Sequence, residues 1–209
     1  PIGSIVDRIG PRAVMLCGLL IEAVGTVAWS QVHTMTQGFI VTTIISLGGS
    51  AIWGPQSALL GRISAPEHRT RVFGINFMLL NAGLGAGGLI GALIVQEGVE
   101  SSYQRLYFIN GASYLAYFFI ILSLRHLSGR EVAHHEENEG SYREVLRDRR
   151  IVQLSASGLL MIVCGYASIE AGAAIFTTTI VDLPPNALGI IFGVNTFAIF
   201  TMQGPILKW

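Results

Sequence analysis

The stretch GSIVDRIGPR, Gly3 to Arg12, packs an acid, two arginines and two glycines into a short polar turn directly ahead of a long apolar run. That run, residues 13–30, is followed by five more at 38–61, 72–95, 104–124, 151–181 and 188–207. A bilayer core about 30 Å thick needs roughly 20 apolar helical residues to cross it. Each run is long enough. The 209 residues are 51% hydrophobic and only 12% charged, about half the charge of ordinary soluble domains. The expected fold class is therefore an all-α integral membrane protein, with six transmembrane helices in this sequence.

The connectors give the orientation. If successive runs cross the membrane, connectors 1–12, 62–71, 125–150 and 208–209 share one side, and 31–37, 96–103 and 182–187 share the other. Twelve of the thirteen Lys and Arg residues fall on the first side, and only Arg105, at a helix start, falls on the second. Basic residues concentrate at the cytoplasmic ends of membrane helices, which puts the Gly3–Arg12 turn in the cytoplasm. The net charge of zero carries no such information. Because the arginines follow the membrane rule, with no basic surface interleaved with aromatics, nucleic acid is not an expected partner.

In Gly3, Asp7, Arg8, Gly10 and Arg12 the turn resembles the cytoplasmic signature of the major facilitator superfamily, which joins that family's second and third helices. Pro11 stands at a position that is commonly basic there. The resemblance covers the whole chain, from the end of helix 2 to helix 8 of a twelve-helix fold in two halves. It implies that residues 1–124 are part of the N-terminal six-helix half, 125–150 the cytoplasmic central loop, and 151–209 the start of the C-terminal half. The sequence thus reads as a piece of a longer chain. The resemblance also implies that Gly3 and Gly10 permit a tight turn, and that Asp7 and Arg8, with Arg12, form a charge latch holding one face of a transporter closed.

Residues 81–94, NAGLGAGGLIGALI, resemble the glycine-rich antiporter signature of the family's fifth helix. Gly83, Gly87 and Gly91 match it, while Gly88 replaces its proline and Ala92 its final glycine. By spacing alone, a glycine at every fourth position, with Asn76 on the same face, lets helix backbones approach closely. Such a stripe is expected to act as a packing hinge where two halves rock.

Two spans carry polar faces. Thr43, Ser46, Ser50, Trp53 and Ser57 fall within about 80° of one another on a helix, and Ser155, Tyr166, Glu170 and Thr177 within roughly 60°. The resemblance puts these on helices 4 and 7, beside the family's central cavity. For the hydroxyls, bonding between helices accounts for the pattern as well as ligand contact does. Carboxylates inside a span are costly and face protein or water, so either Glu170 or Glu22 could trade a proton, and Glu170 is expected to be a proton or substrate-charge site. Glu170 could equally sit at a wet rim. Glu22 lies about 14 Å into its run and shares a face with Gly18, Gly25 and Trp29. Since the family's third helix is peripheral, a structural pair with a helix outside this sequence is the favoured role for Glu22. Asn195 lies in FGVNTFAIFTMQGP, residues 192–205, which resembles the eighth helix of multidrug-efflux members. Gln203, beside Gly204 and Pro205, suits carbonyls freed by a kink. The helix 4 arginine of many proton antiporters in the family is absent, with Ile44 at that position.

Cys17 and Cys164 lie inside apolar runs, which suggests neither a disulfide nor a zinc site. The His and Glu residues at 134–139 have no organising spacing, so a solvated loop is expected there and no metal. No nucleophile elbow, zinc-binding helix or phosphate-binding glycine loop is found, and neither enzymatic activity nor a cofactor is expected. The resemblance implies a monomeric, multi-pass secondary transporter of the cell membrane, in a bacterium the inner membrane. Its partners would be a small-molecule substrate, protons and the lipid bilayer, and its work the export of drugs or small metabolites. Rival readings are an uptake carrier for sugars, nucleosides or organic acids, and a non-transporting receptor on the same fold.

Overall fold

A computed structural model describes residues 2–124, 147–167, 172, 173 and 175–206. Every regular element among the described residues is helical. Helix α1 (Ile2–Ile9) leads through Gly10 into α2 (Pro11–Trp29), followed by α3 (Met35–Ile63), α4 (Arg69–Ile94) and α5 (Glu100–Ser123). These last four are long and apolar enough to cross a bilayer, α4 with the short turn Pro66–His68 that precedes it. The molecule is an all-α integral membrane protein that crosses the bilayer several times.

Local chemistry sets the helix ends. Gly10 sits at φ +85°, a left-handed conformation that glycine adopts without a Cβ penalty. Pro11, with φ already fixed, then opens α2. At the far end, α3 starts at a reciprocal cap. Thr34 Oγ1 accepts from the Gln37 N–H at 3.3 Å, and Gln37 Oε1 accepts from the Thr34 N–H at 3.1 Å. That cap extends α3 beyond the apolar run at 38–61. Between α4 and α5, Gly98 takes φ +73°. The buried Ser102 hydroxyl closes this hairpin, donating toward the Val99 carbonyl at 2.7 Å and accepting from the Gln96 N–H at 3.0 Å.

The run at 151–181 departs from the single regular helix expected of it. Helix α6 (Arg149–Met161), capped by Asp148, gives way to a wider coil at Ile162–Ala167, and the same wide coil recurs at Phe176–Ile180. Gly158, Gly165 and Gly172 place no side chain against a neighbour in this stretch. Thr177 and Thr179 hydroxyls donate back to the carbonyls of Ala173 and Ile175, a competition that loosens regular helix. Asp182, at φ 57°, ends the segment, and α7 (Pro185–Ile206) follows, its apolar stretch spanning Ala187–Met202.

Helix α2 is wedged between α3 and α5, and glycines make the close fit possible. A Cβ on Gly18 would lie 2.8 Å from the Gly48 carbonyl oxygen of α3, and one on Gly111 of α5 would lie 2.7 Å from Val27. Met15 and Leu19 of α2 are fully buried there, with Ile52 and Leu59 of α3 and Ile121 of α5. Within the described bundle α2 is the most enclosed of the long helices. At one end Trp29 stacks on Tyr107 with ring centroids 6.3 Å apart, and Gln104 Nε2 donates to the Ser30 carbonyl at 3.5 Å. The second close pairing is α4 with α7. Large apolar side chains such as Phe39, Leu47, Leu93 and Phe119 face outward. That would be costly in water and is not in lipid, where apolar surface needs no burial.

Candidate functional site

Three places in the fold carry the residues singled out in the sequence. The first is the opening turn. The Gly10 N–H donates to the Val6 carbonyl at 2.8 Å, ending α1, and α1 packs on α2 and α3. Gly3 and Arg8 are exposed, and the Asp7 side chain lies outside the described residues. Arg12 reaches across the bundle. Its Nε donates to the Ile121 carbonyl at 3.1 Å and its Nη2 to the Leu122 carbonyl at 2.8 Å. These are carbonyls of the last turn of α5, where partial negative charge accumulates and a guanidinium is a favourable partner. The turn is thereby fixed to the end of α5, a contact between residues 109 and 110 positions apart that no local spacing announces.

The second place is a half-open cavity of about 350 Å³ lined by α2, α3, α4 and α5. Glu22 enters it from α2, Trp53 and Gln56 from α3, Asn76 from α4, and Tyr114 and Tyr117 from α5. Eleven residues from the start of its helix, Glu22 stands about 16 Å along α2, near mid-span. Its side chain is buried, with 5% of the residue's surface exposed, and Tyr114 of α5 stands beside it. Room for the carboxylate comes from Gly49, where an added Cβ would lie 3.0 Å from Glu22 Oε1. Gln56 Nε2 donates to Asn76 Oδ1 at 3.4 Å, joining α3 to α4 across one wall. Trp53 stands at the mouth, more than half exposed.

Among the described residues expected along a substrate or proton path, the structure brings together Glu22 and Trp53. Ser50 and Ser57 are exposed on α3, and the Ser50 hydroxyl donates to its own helix at the Leu47 carbonyl, 2.7 Å away. Asn195 is exposed on α7. Glu170 and the side chains of Tyr166 and Gln203 lie outside the described residues, as does the 134–139 segment. Sequence reasoning passed over Gln56, Tyr114, Tyr117 and Gly49. The available signal was Tyr114 and Tyr117 three residues apart on one helical face, close to Gly111.

The third place is the α4–α7 contact. Gly83 and Gly87 have nothing within 4 Å of an added Cβ, and Gly91 only Leu106 at 3.8 Å. The close approach belongs instead to Gly85 and Gly88. A Cβ on Gly85 would lie 2.6 Å from Thr196, and one on Gly189 would run into the Gly88 carbonyl oxygen and lie 2.7 Å from the Ala92 Cβ. The face that meets α7 is therefore rotated around the helix from the one that carries Gly83, Gly87 and Gly91. Gly85, Gly88 and Ala92 also follow a helical repeat, and it is this face that α7 meets. Thr196 Oγ1, buried in the seam, is the one buried side-chain polar atom among the described residues that lacks a hydrogen-bond partner.

Comparison with known proteins agrees with this architecture. The sequence is 26% identical over 212 residues to the multidrug resistance protein MdtH of Cronobacter sakazakii, covering 99% of this chain and 50% of that protein. It is 25% identical to the protein of the same name from Klebsiella pneumoniae and 24% identical to that from Shigella boydii, with the same coverage. The chain spans about half the length of the curated relatives it matches. No solved structure matches it. The profile of the Major Facilitator Superfamily matches residues 1–209, and the chain belongs to that family.

Proposed function

We propose that the whole protein is a secondary transporter that exports drugs or small metabolites in exchange for protons, working by alternating access from a bacterial inner membrane. The observation that carries this reading is the family match over every residue of the chain. Relatives named as multidrug resistance proteins favour export. In this reading residues 1–124 belong to one half and 151–209 to the other, joined by a cytoplasmic loop at 125–150. Asp7 and Arg8 latch the cytoplasmic face, with Gly3, Gly10 and Arg12 shaping the turn. Substrate and protons pass Ser50, Trp53 and Ser57 on one side, and Tyr166, Glu170 and Asn195 on the other.

The direct test is flux of a lipophilic dye in proteoliposomes holding the full-length protein under an imposed pH gradient. Export predicts dye movement that collapses with the gradient. Deletion in cells should raise drug sensitivity; unchanged drug tolerance with loss of growth on a single nutrient would instead identify an uptake carrier. Asp7→Asn is expected to lower flux about ten-fold, about 1.4 kcal/mol, at unchanged abundance in the membrane, and full flux in that variant would discard the latch. Cysteines engineered at Thr34 and His135 test the orientation. An impermeant thiol reagent on intact cells should modify only the first.

A further inference from the structure

We propose that Arg12 is a positioning residue of the transport cycle: by grasping the last carbonyls of α5 it keeps the Gly3–Arg12 turn, with Asp7 and Arg8, seated on the α2–α5 pair. This deepens the export reading and rests on it for the existence of a cycle. The role goes beyond shaping the turn locally, because the object held is a helix end 109 and 110 positions away.

Arg12 is badly placed for its own helix. It is the second residue of α2, where unbonded N–H groups carry partial positive charge and a cation is disfavoured. No acid stands in the first turn of α2 to offset it. The end of α5 has the reverse deficiency. The last four carbonyls of a helix lack partners within it, and α5 has no basic residue of its own in its last turn. The Ile120 carbonyl accepts from the Leu124 N–H at 3.3 Å and the Ser123 hydroxyl at 2.7 Å. The next two carbonyls fall to Arg12, whose Nε reaches Ile121 at 3.1 Å and whose Nη2 reaches Leu122 at 2.8 Å. A planar guanidinium presents its N–H groups as a rigid fork, so one side chain meets two successive carbonyls, as the point charge of a lysine does not.

The base of this arm is fixed as well. Gly10 turns at φ +85° and Pro11 is fully buried, so α2 begins at one defined place. Arg12 itself is only partly exposed. Arg8 and Asp7 lie four and five residues back along the chain, across Gly10. A tie at Arg12 therefore sets the height, relative to α5, of the backbone that carries both charges. Glycine permits the turn but supplies nothing to hold it.

The test separates holding the turn from finishing α5. It uses the full-length protein in proteoliposomes and reads initial rates of lipophilic dye flux under a pH gradient, melting temperature and hydrogen exchange at the end of α5. Spin labels at Ile9 and Ile120, both more than half exposed, report the distance from turn to α5 in a cysteine-free background. Arg12→Gln is expected to lower kcat about ten-fold at unchanged KM for the dye and to broaden the label distances. Exchange of the Leu122, Ser123 and Leu124 amides should quicken about three- to five-fold. Arg12→Lys, which keeps the charge and loses the fork, should fall between wild type and Arg12→Gln. The deciding variant combines Arg12→Gln with Ser123→Lys, which gives α5 a cation of its own at an exposed position. Melting temperature and exchange should return to wild type there, while kcat stays low and the distances stay broad. Recovery of kcat in that double variant would reduce Arg12 to a helix cap and overturn the proposal. So would full turnover, or wild-type distances, in Arg12→Gln. A wild-type protein without dye flux removes the export reading, and the label distances then decide alone whether Arg12 holds the turn.

Discussion

Two junctions in this molecule are built on glycine, and they differ in what surrounds it. Where α2 meets α3 and α5, Gly18, Gly48 and Gly111 bring backbones together, and Met15, Leu19, Ile52 and Ile121 close around them as a packed core. Where α4 meets α7, Gly88 and Gly189 face each other too closely for a side chain on Gly189, while Ile190, Val194 and Phe197 of α7 are exposed. Interlocked side chains resist displacement because any shift opens voids. Bare backbone against bare backbone has few knobs to unseat. The same residue type therefore makes a fixed joint in one place and a smooth contact in the other.

The largest effect is expected at Gly18. Gly18→Val would drive a branched side chain into the Gly48 carbonyl, Ala51 and Ile52, costing about 3 kcal/mol. Little protein should accumulate in the membrane, and wild-type yield and melting temperature would refute the idea of a rigid joint. Gly189→Ala comes next. It separates α4 from α7 with each helix otherwise intact, so abundance should hold while flux falls about ten-fold, about 1.4 kcal/mol. If yield collapses there as it does for Gly18→Val, the two junctions are alike. Arg12→Gln removes the cation from the end of α5 and should cost about 1 kcal/mol, read as a melting temperature lower by a few degrees. The smallest change is expected from Thr196→Val. It deletes an unbonded hydroxyl at nearly constant volume, so stability should be unchanged or higher by about 0.5 kcal/mol, and a clear loss would mean that the hydroxyl has a partner in the folded state.

The helices were readable because a bilayer demands a minimum apolar length, and five of the expected runs coincide with described helices to within a few residues. Thr34 and Gly98 account for much of the remaining offset, since caps and turns act at single residues that a hydropathy run averages away. Pairing between helices was much less readable. Spacing along α4 defines two glycine faces equally well, 83–87–91 and 85–88–92, and nothing within that helix says which one a neighbour will meet. Glu22 shows the same limit. Its face, shared with Gly18 and Gly25, could be derived from periodicity, and both glycines are indeed buried. Tyr114 approaches from a helix 92 positions later in the chain, and the carboxylate finds it only because α2 lies between α3 and α5.

The paired ends of α2 and α5 have a mechanical consequence. One end is held by the Arg12 guanidinium on the Ile121 and Leu122 carbonyls, the other by the Trp29–Tyr107 stack and the bond from Gln104 to Ser30. A rod pinned at two distant points can neither pivot nor slide against its mate, so any motion of this region carries both helices together, as a single plank.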